Sequence, residues 1–404
     1  MKAVVLCAGQ SPKLEPFSET RPKSMIVVAG KSILEIILNR LSEANITEVL
    51  LVVGHKKEMI QESFHFGKAL GLKIDYLIQK EEKGIGNALL LAQEALKKEK
   101  NFLVVYGDAL MNGNNLLPLV DHFSQSDLPN IATITHPASE GGYGNVYLGH
   151  DMQISKFVEK PTGGRMSNYI FGGSFIFDQS VFASLQKNKE DMVAVLKSKI
   201  KEKALGASLW EDSWIDISRP WHILKANQMV MSTWTKSIIP VSCNIDSGAK
   251  ISGAVKFGEN VTVRAGASIV GPCFIGDNCF IGNSSLIREN SSIGANSVIG
   301  FGTEVKNSVI FGGSKVGRLS FIGDSVLGQD THLGSGVMTV NTSIENHNFT
   351  LTDKKGDSLD TGLSKIGAFI GDNSVIGAGN CLPPGCMLKA GTHAPDCFNL
   401  PSNL

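Results

Sequence analysis

From Ile245 to Val305 an apolar residue returns at every sixth position: Ile245, Ile251, Phe257, Val263, Ile269, Ile275, Ile281, Ile287, Ile293, Ile299 and Val305. An α-helix repeats about every 3.6 residues and a half-buried strand about every 2, so neither accounts for a spacing of six. A solenoid with three short faces per coil does, because each apolar side chain then points inward and stacks on its equivalent one coil away. Several of these residues are followed by glycine, as in Ile275-Gly276, Ile281-Gly282 and Ile293-Gly294. A second run follows at Ile370, Ile376, Leu382 and Leu388. The polar stretch 341–365 between the runs is expected to leave the coil as an exposed loop, read from the residues alone as a tolerated surface insertion.

Up to residue 236 the character is different. Apolar runs such as Ala3 to Leu6, Val49 to Val53 and Phe102 to Tyr106 read as buried strands, while Ser32 to Ala44 and Gly86 to Leu96 have helical spacing. Strands alternating with helices predict a mostly parallel sheet covered on both faces, with ligands gathered at the carboxyl ends of the strands. A last helix over 221–235 carries the chain out, giving two domains, 1–236 and 237–404. A length of 404 residues fits two or three domains. Lys plus Arg and Asp plus Glu both number 38, so net charge draws the chain neither to nucleic acid nor to an acidic membrane. No apolar run approaches a bilayer span, and the first one ends too early for a signal peptide. Seven cysteines without paired spacing read as reduced thiols, and a cytoplasmic location is expected.

The first strand opens into LCAGQSPKLEPFSETRPKSM, residues 6–25. Successive backbone N–H groups after a strand can converge on a phosphate chain, and glycine permits the close approach this needs. The stretch resembles the LAAGxGTRLxPLTxxxPKPM loop of sugar-1-phosphate nucleotidyltransferases. It keeps Leu6, Ala8, Gly9, Leu14, Pro16, Arg21, Pro22, Lys23 and Met25, and places Ser11, Pro12 and Lys13 where that family has Gly, Thr and Arg. Pro12 offers no N–H, and Lys13 offers a point charge where arginine would offer a planar fork.

Further stretches follow in that family's order. Gly107-Asp108 closes the strand FLVVY, and a carboxylate at a strand end is well placed to hold magnesium. The resemblance implies Mg²⁺ on Asp108 and on Asp216 of WIDISRPW, nucleotide phosphates on Lys13 and Lys23, and the sugar phosphate on Lys160 of the Glu159-Lys160-Pro161 triplet. It implies further that Gly144, Glu159 and Asn168 hold the sugar, and that Ala8, Gly9, Gln79 and Gly84 receive the nucleotide. The implied reaction joins a nucleoside triphosphate to a sugar-1-phosphate with release of pyrophosphate.

The six-residue repeat resembles that of hexapeptide acyltransferases, which form left-handed parallel β-helices and usually trimerise, and the resemblance offers for the 341–365 loop the alternative of an arm that reaches a neighbouring chain. The full expectation is an α/β, Rossmann-like nucleotidyltransferase domain with a mostly parallel sheet, then a left-handed β-helix that makes a homotrimer. Lys306, with the segment Ser314 to Asp324, resembles the acetyltransferase half of archaeal-type bifunctional sugar-1-phosphate enzymes, for which acetyl-CoA is the second substrate. That family's catalytic His and Tyr are here Arg318 and Phe321, and a guanidinium cannot accept a proton at physiological pH. His332 replaces an Asn in the following coil, and Asn341 completes the implied acyltransferase set. Three readings stay open at this point: an active nucleotidyltransferase, a non-catalytic relative that binds nucleotide or sugar phosphate, and an acyltransferase with His332 as its base.

Overall fold

A computed structural model describes residues 1–137, 142–159, 167–345, 347–352 and 358–398. The chain divides into two compact units. The first comprises Met1–Gln10, Arg21–Met25 and Ser32–Asp216; the second comprises Ser11–Thr20, Ile26–Lys31 and Ile217–Leu404.

The first unit is built on one seven-stranded sheet. Its strands are β1 (Ala3–Cys7), β2 (Glu48–Val53), β3 (Lys73–Ile78), β4 (Asn101–Tyr106), β5 (Asn130–Thr135), β6 (Ile170–Asp178) and β7 (Leu205–Trp210). They lie in the order β7-β5-β6-β4-β1-β2-β3. Only β6 runs antiparallel to its neighbours; every other pairing is parallel. The apolar runs of β1, β2 and β4 are buried because parallel strands covered on both faces have no solvent side to present. Helices α1 (Ile33–Glu43), α2 (Lys57–Phe64), α3 (Ile85–Leu90), α4 (Gln93–Leu96), α5 (Leu116–Gln125), α6 (Ser180–Lys187) and α7 (Met192–Lys201) complete the unit. Ser32 caps α1 by accepting a bond from Glu35 N at 3.1 Å. The single helix expected over 86–96 is two short ones, because Ala92 N bonds Leu89 O at 3.0 Å and this tighter turn interrupts the helical ladder. Two small antiparallel pairs stand beside the sheet: Ala109–Met111 with Trp214–Asp216, and Asn145–Leu148 with Ile154–Val158.

In the second unit, strands of two or three residues stack into three parallel sheets of eight, seven and seven strands, the arrangement of a β-helix. Ile251 pairs with Ile269, Ile269 with Ile287, and Ile287 with Val305, so equivalent residues of the six-residue repeat do stack coil on coil. Most of the column is fully buried, each isoleucine contributing about 1.5–3 kcal/mol by burial. Ile245 and Ile251 are only partly buried, because the first coil has no coil before it. After Val305 the steps to Ile310, and from Ile322 to Leu327, are one residue shorter, yet register is kept as Val305 pairs with Ile322. These shortened steps, not a loss of structure, end the regular run in the sequence. Thr339 takes an inward position and satisfies its hydroxyl by accepting a bond from Gly323 N at 2.8 Å.

The polar stretch leaves at Asn341 and returns where Ile366 N bonds Asn341 O at 3.0 Å. Between these points Thr350–Thr352 and Ser358–Asp360 form an antiparallel pair. Helix α8 (His222–Met231) is held by Asn227, which is fully buried; its Oδ1 accepts from Ala29 N at 2.8 Å and its Nδ2 donates to Asn290 O at 2.7 Å. The segment Ser11–Thr20 also packs within this unit: Phe17 meets Phe311 edge-on at 5.7 Å, and Glu19 accepts a bond from Ala390 N at 3.0 Å.

Candidate active site

The ends of two neighbouring strands bring the acidic residues together. Past β4, Gly107 N still bonds Leu6 O at 3.0 Å, and a side chain at 107 would collide with Cys7 Sγ. Glycine there lets the chain turn against β1 and present Asp108. The next residue, Ala109, is the register partner of Asp216, so the pairing sets the two carboxylates side by side. Lys23 lies between them, its Nζ 2.9 Å from Asp108 Oδ2 and 2.8 Å from Asp216 Oδ1. Its side chain is 10% exposed, against 40% for Asp108 and 26% for Asp216. Burial pulls the Lys23 ammonium down, but the two carboxylates outweigh it and hold its pKa above the ordinary lysine value.

Tyr143 lies near this triad, packed on Trp214 of the strand that carries Asp216. Trp214 donates Nε1–H to Gly172 O at 3.0 Å and meets Tyr143 edge-on at 5.2 Å. Burial first, then Asp216, pushes the Tyr143 phenol up to about 12, so it stays a neutral hydrogen-bonding group. Cys7, behind the triad, is likewise pushed up to about 12 by burial, and its thiol is inert.

Two of the residues expected to hold the sugar, Gly144 and Glu159, lie together. Gly144 precedes the strand Asn145–Leu148 and Glu159 follows Ile154–Val158, whose terminal residues Asn145 and Val158 are register partners. A Cβ at 144 would meet both the Phe157 ring and the Glu159 carboxylate, which explains the glycine. Asn168 is exposed, and its carbonyl oxygen accepts from His136 Nδ1 at 3.0 Å. Lys160 lies outside the described residues.

Of the residues expected to meet the nucleotide, Ala8, Gly9, Gln79 and Gly84 belong to the first unit and Lys13 to the second. Ala8 is buried at the end of β1 and its carbonyl accepts from His55 N at 3.2 Å, while Gly9 is exposed. Gln79 is buried just past β3, and its Nε2 donates to Gly84 O at 3.2 Å and to Asn87 Oδ1 at 2.9 Å. Lys13 belongs to the segment that packs in the second unit and is exposed in the short turn Pro12–Leu14. Asn87 was not singled out by the sequence, where it reads as one polar residue in a helical run. Nor was Glu190, whose turn carries no motif.

A model described as "Nucleotidyl transferase" matches residues 2–233, more than half of the chain. The chain belongs to the nucleotidyl transferase family. A second model, described as "GMPPB C-terminal domain", matches residues 269–355. Among curated relatives of this nucleotidyl transferase chain, the "Bifunctional protein GlmU" of Methanococcus vannielii is 32% identical over 273 residues, 65% of this chain and 62% of that one. The "Bifunctional sugar-1-phosphate nucleotidylyltransferase/acetyltransferase" of Sulfurisphaera tokodaii is 29% identical, covering 67% of this chain and 65% of the relative. The match therefore spans about three fifths of the first relative's length. A putative glucose-1-phosphate thymidylyltransferase from Bacillus anthracis superposes with a TM-score of 0.53 at 19% identity, covering 56% of this chain and 94% of that one, which shows the fold.

In the β-helix of this family member, three residues of the acyltransferase set cluster around a buried carboxylate. Asp324 accepts from Lys306 Nζ at 3.4 Å, Asn307 Nδ2 at 2.6 Å and Asn341 Nδ2 at 2.6 Å. The Phe321 ring and the Asn341 amide both crowd Gly323, where a Cβ would strike them. The other two residues are not part of the cluster. Arg318 is exposed in a turn, and His332 is exposed on a different sheet, paired with Lys315 and Val375.

Proposed function

We propose that this chain is a sugar-1-phosphate nucleotidyltransferase, making a nucleotide sugar and pyrophosphate from a nucleoside triphosphate and a hexose-1-phosphate. The observation that carries the reading is the convergence of Asp108 and Asp216 on the single cationic Nζ of Lys23, within a chain matched by the family model. In the reaction a sugar-phosphate oxygen bonds to the α-phosphorus, the bond from that phosphorus to the bridging oxygen breaks, and the electron pair leaves with pyrophosphate. The nucleophile is already an anion, so no general base is required. Alignment and charge neutralisation are what the protein must supply.

Two carboxylates that already share one cation form a hard-oxygen donor pair that fits Mg²⁺. Bound there by Asp108 and Asp216, Mg²⁺ supplies charge neutralisation at phosphate oxygens. Lys23, released from one or both carboxylates, contributes its ammonium to the nucleotide phosphates, with Lys13 as a second cation. Lys160 serves the sugar phosphate. Gly144, Glu159 and Asn168 line the sugar, and the neutral Tyr143 limits water at the triad. Ala8, Gly9, Gln79 and Gly84 receive the nucleotide. The assigned domains are 1–236 for transfer and 237–404 for assembly as a cytoplasmic homotrimer. Among the described residues, no helix is long and apolar enough to cross a membrane. A trimer would cover the apolar side chains that the β-helix exposes, among them Phe301, Leu319 and Met338.

The test supplies purified protein with Mg²⁺, a panel of nucleoside triphosphates and hexose-1-phosphates, and a measurement of pyrophosphate release. Turnover that Asp108→Asn and Asp216→Asn each lower at least about a hundredfold supports the assignment. Ligand binding without turnover for every pair would leave the non-catalytic reading in its place.

A further inference from the structure

Beyond the family's loop and carboxylates, the first unit contains a polar relay that no motif announces. Glu190 Oε2 accepts a hydrogen bond from Asn87 Nδ2 at 2.9 Å, and Asn87 Oδ1 accepts one from Gln79 Nε2 at 2.9 Å. Gln79 Nε2 donates its other hydrogen to Gly84 O at 3.2 Å. The sense of the relay is fixed at both ends. A carboxylate only accepts, which sets the Asn87 amide with its nitrogen toward Glu190 and its oxygen toward Gln79. A backbone carbonyl also only accepts, so Gly84 O independently demands the nitrogen of Gln79. Turning the Gln79 amide over would set its oxygen against two other oxygens. Both donors of Gln79 are thus committed internally, while its Oε1 accepts no hydrogen bond among the described residues.

The backbone holds Glu190 in place for this. Lys189 and Glu190 adopt φ of 52° and 64°, a left-handed pair made without glycine between α6 and α7, closed by Glu190 N bonding Leu185 O at 2.8 Å. The turn lies so close to α3 that a Cβ on Gly86 would strike the Glu190 carbonyl. Asp191 then caps α7 at Val193 N, 2.8 Å away, fixing the far side of the turn.

We propose that Glu190 and Asn87 are positioning residues that lock Gln79 as a pure acceptor, so that the site selects a nucleobase presenting a ring N–H donor over one presenting a ring nitrogen acceptor. Uracil, thymine and guanine carry such a donor; cytosine and adenine do not. The inference rests on the nucleotide reading above and adds the direction of discrimination and the residues that set it. A glutamine free to rotate would serve either class, whereas the relay removes that freedom.

The test is calorimetric titration of the full chain, in Mg²⁺, with UTP, GTP, CTP and ATP. These share the triphosphate, so the ratio of affinities isolates the base. UTP or GTP should bind about tenfold or more tightly than CTP and ATP, the cost of one mismatched buried acceptor. Glu190→Gln and Asn87→Ala should each compress that ratio toward unity while leaving the KM for sugar-1-phosphate unchanged. General damage would instead weaken all four nucleotides alike. Equal or tighter binding of CTP or ATP by the wild type overturns the proposal, as does an unchanged ratio in both variants when their melting temperatures match the wild type. Absence of binding by all four overturns the nucleotide reading itself, and the relay's role with it.

Discussion

Replacing Lys23 with methionine tests whether Asp108 and Asp216 form a cation site. Methionine keeps much of the side-chain volume but removes the ammonium that lies 2.9 and 2.8 Å from the two carboxylates. Removing one partner of a fully buried ion pair costs about 3–5 kcal/mol. Here the lysine is 10% exposed but the carboxylates are 40% and 26% exposed, so water screens part of the loss and about 2 kcal/mol is the expected cost. For a unit of this size that corresponds to a fall in Tm of roughly 4–8 °C in EDTA. The pH sign follows from the raised Lys23 pKa: the pairing stabilises fully at neutral pH and is lost as pH rises through that raised value. Melts of both proteins in EDTA and in Mg²⁺ decide the matter, because the variant leaves two carboxylates facing one another without a cation. Mg²⁺ should therefore raise the variant's Tm by several degrees more than the wild type's. A deficit that Mg²⁺ does not narrow, or a variant as stable as the wild type in EDTA at neutral pH, would refute the two-carboxylate cation site.

Thiol labelling under native conditions near neutral pH should mark Cys381 and Cys397 first, both exposed, while Cys7, Cys273, Cys279 and Cys386 stay unlabelled until unfolding. Burial pushes the thiols of those four up to about 11–12, as mass mapping of the labelled peptides will check. Leu319→Glu, at a side chain 61% exposed, should leave the monomer's Tm nearly unchanged but shift the sedimentation profile from trimer toward monomer. A persistent trimer would place the interface elsewhere. Incubation with acetyl-CoA and an amino-sugar phosphate should give no thiol release that depends on His332; release abolished by His332→Ala would restore the acyltransferase reading.

The solenoid was legible because its physics is one-dimensional. One inward residue per face must be apolar, and this rule holds from Phe257 to Val305 without a gap in burial. Legibility failed where a coil lost one residue before Ile310 and Leu327, since a fixed period cannot register a change of step that the stacked backbone absorbs. It also failed at Thr339, a polar residue in an apolar column, made acceptable by a hydrogen bond to the coil before it. In the first unit the buried strands declared themselves by composition, but the bond that splits α3 from α4 leaves no compositional trace.

The candidate site was legible to the extent that its residues occupy strand ends in a recognisable order, as Asp108 and Asp216 do. The relay through Asn87 and Glu190 was not, because it depends on a turn brought beside a helix from far along the chain. The altered loop shows a third case. Ser11 stands where the family has glycine, and it adopts the left-handed conformation glycine would, with φ of 56° and ψ of 60°. A non-glycine residue there costs about 1–2 kcal/mol. Pro12 then opens a short helical turn, where its fixed φ suits the first position and its missing N–H goes unneeded; Leu14 N closes the turn on Ser11 O at 3.0 Å. Relative to the family's loop, the substitutions remove one backbone donor at Pro12 and one planar guanidinium at Lys13, and they add backbone strain at Ser11. A motif comparison registers three mismatches of equal weight. The backbone separates them into one strained position, one neutral position and, at Lys13, one altered charge geometry.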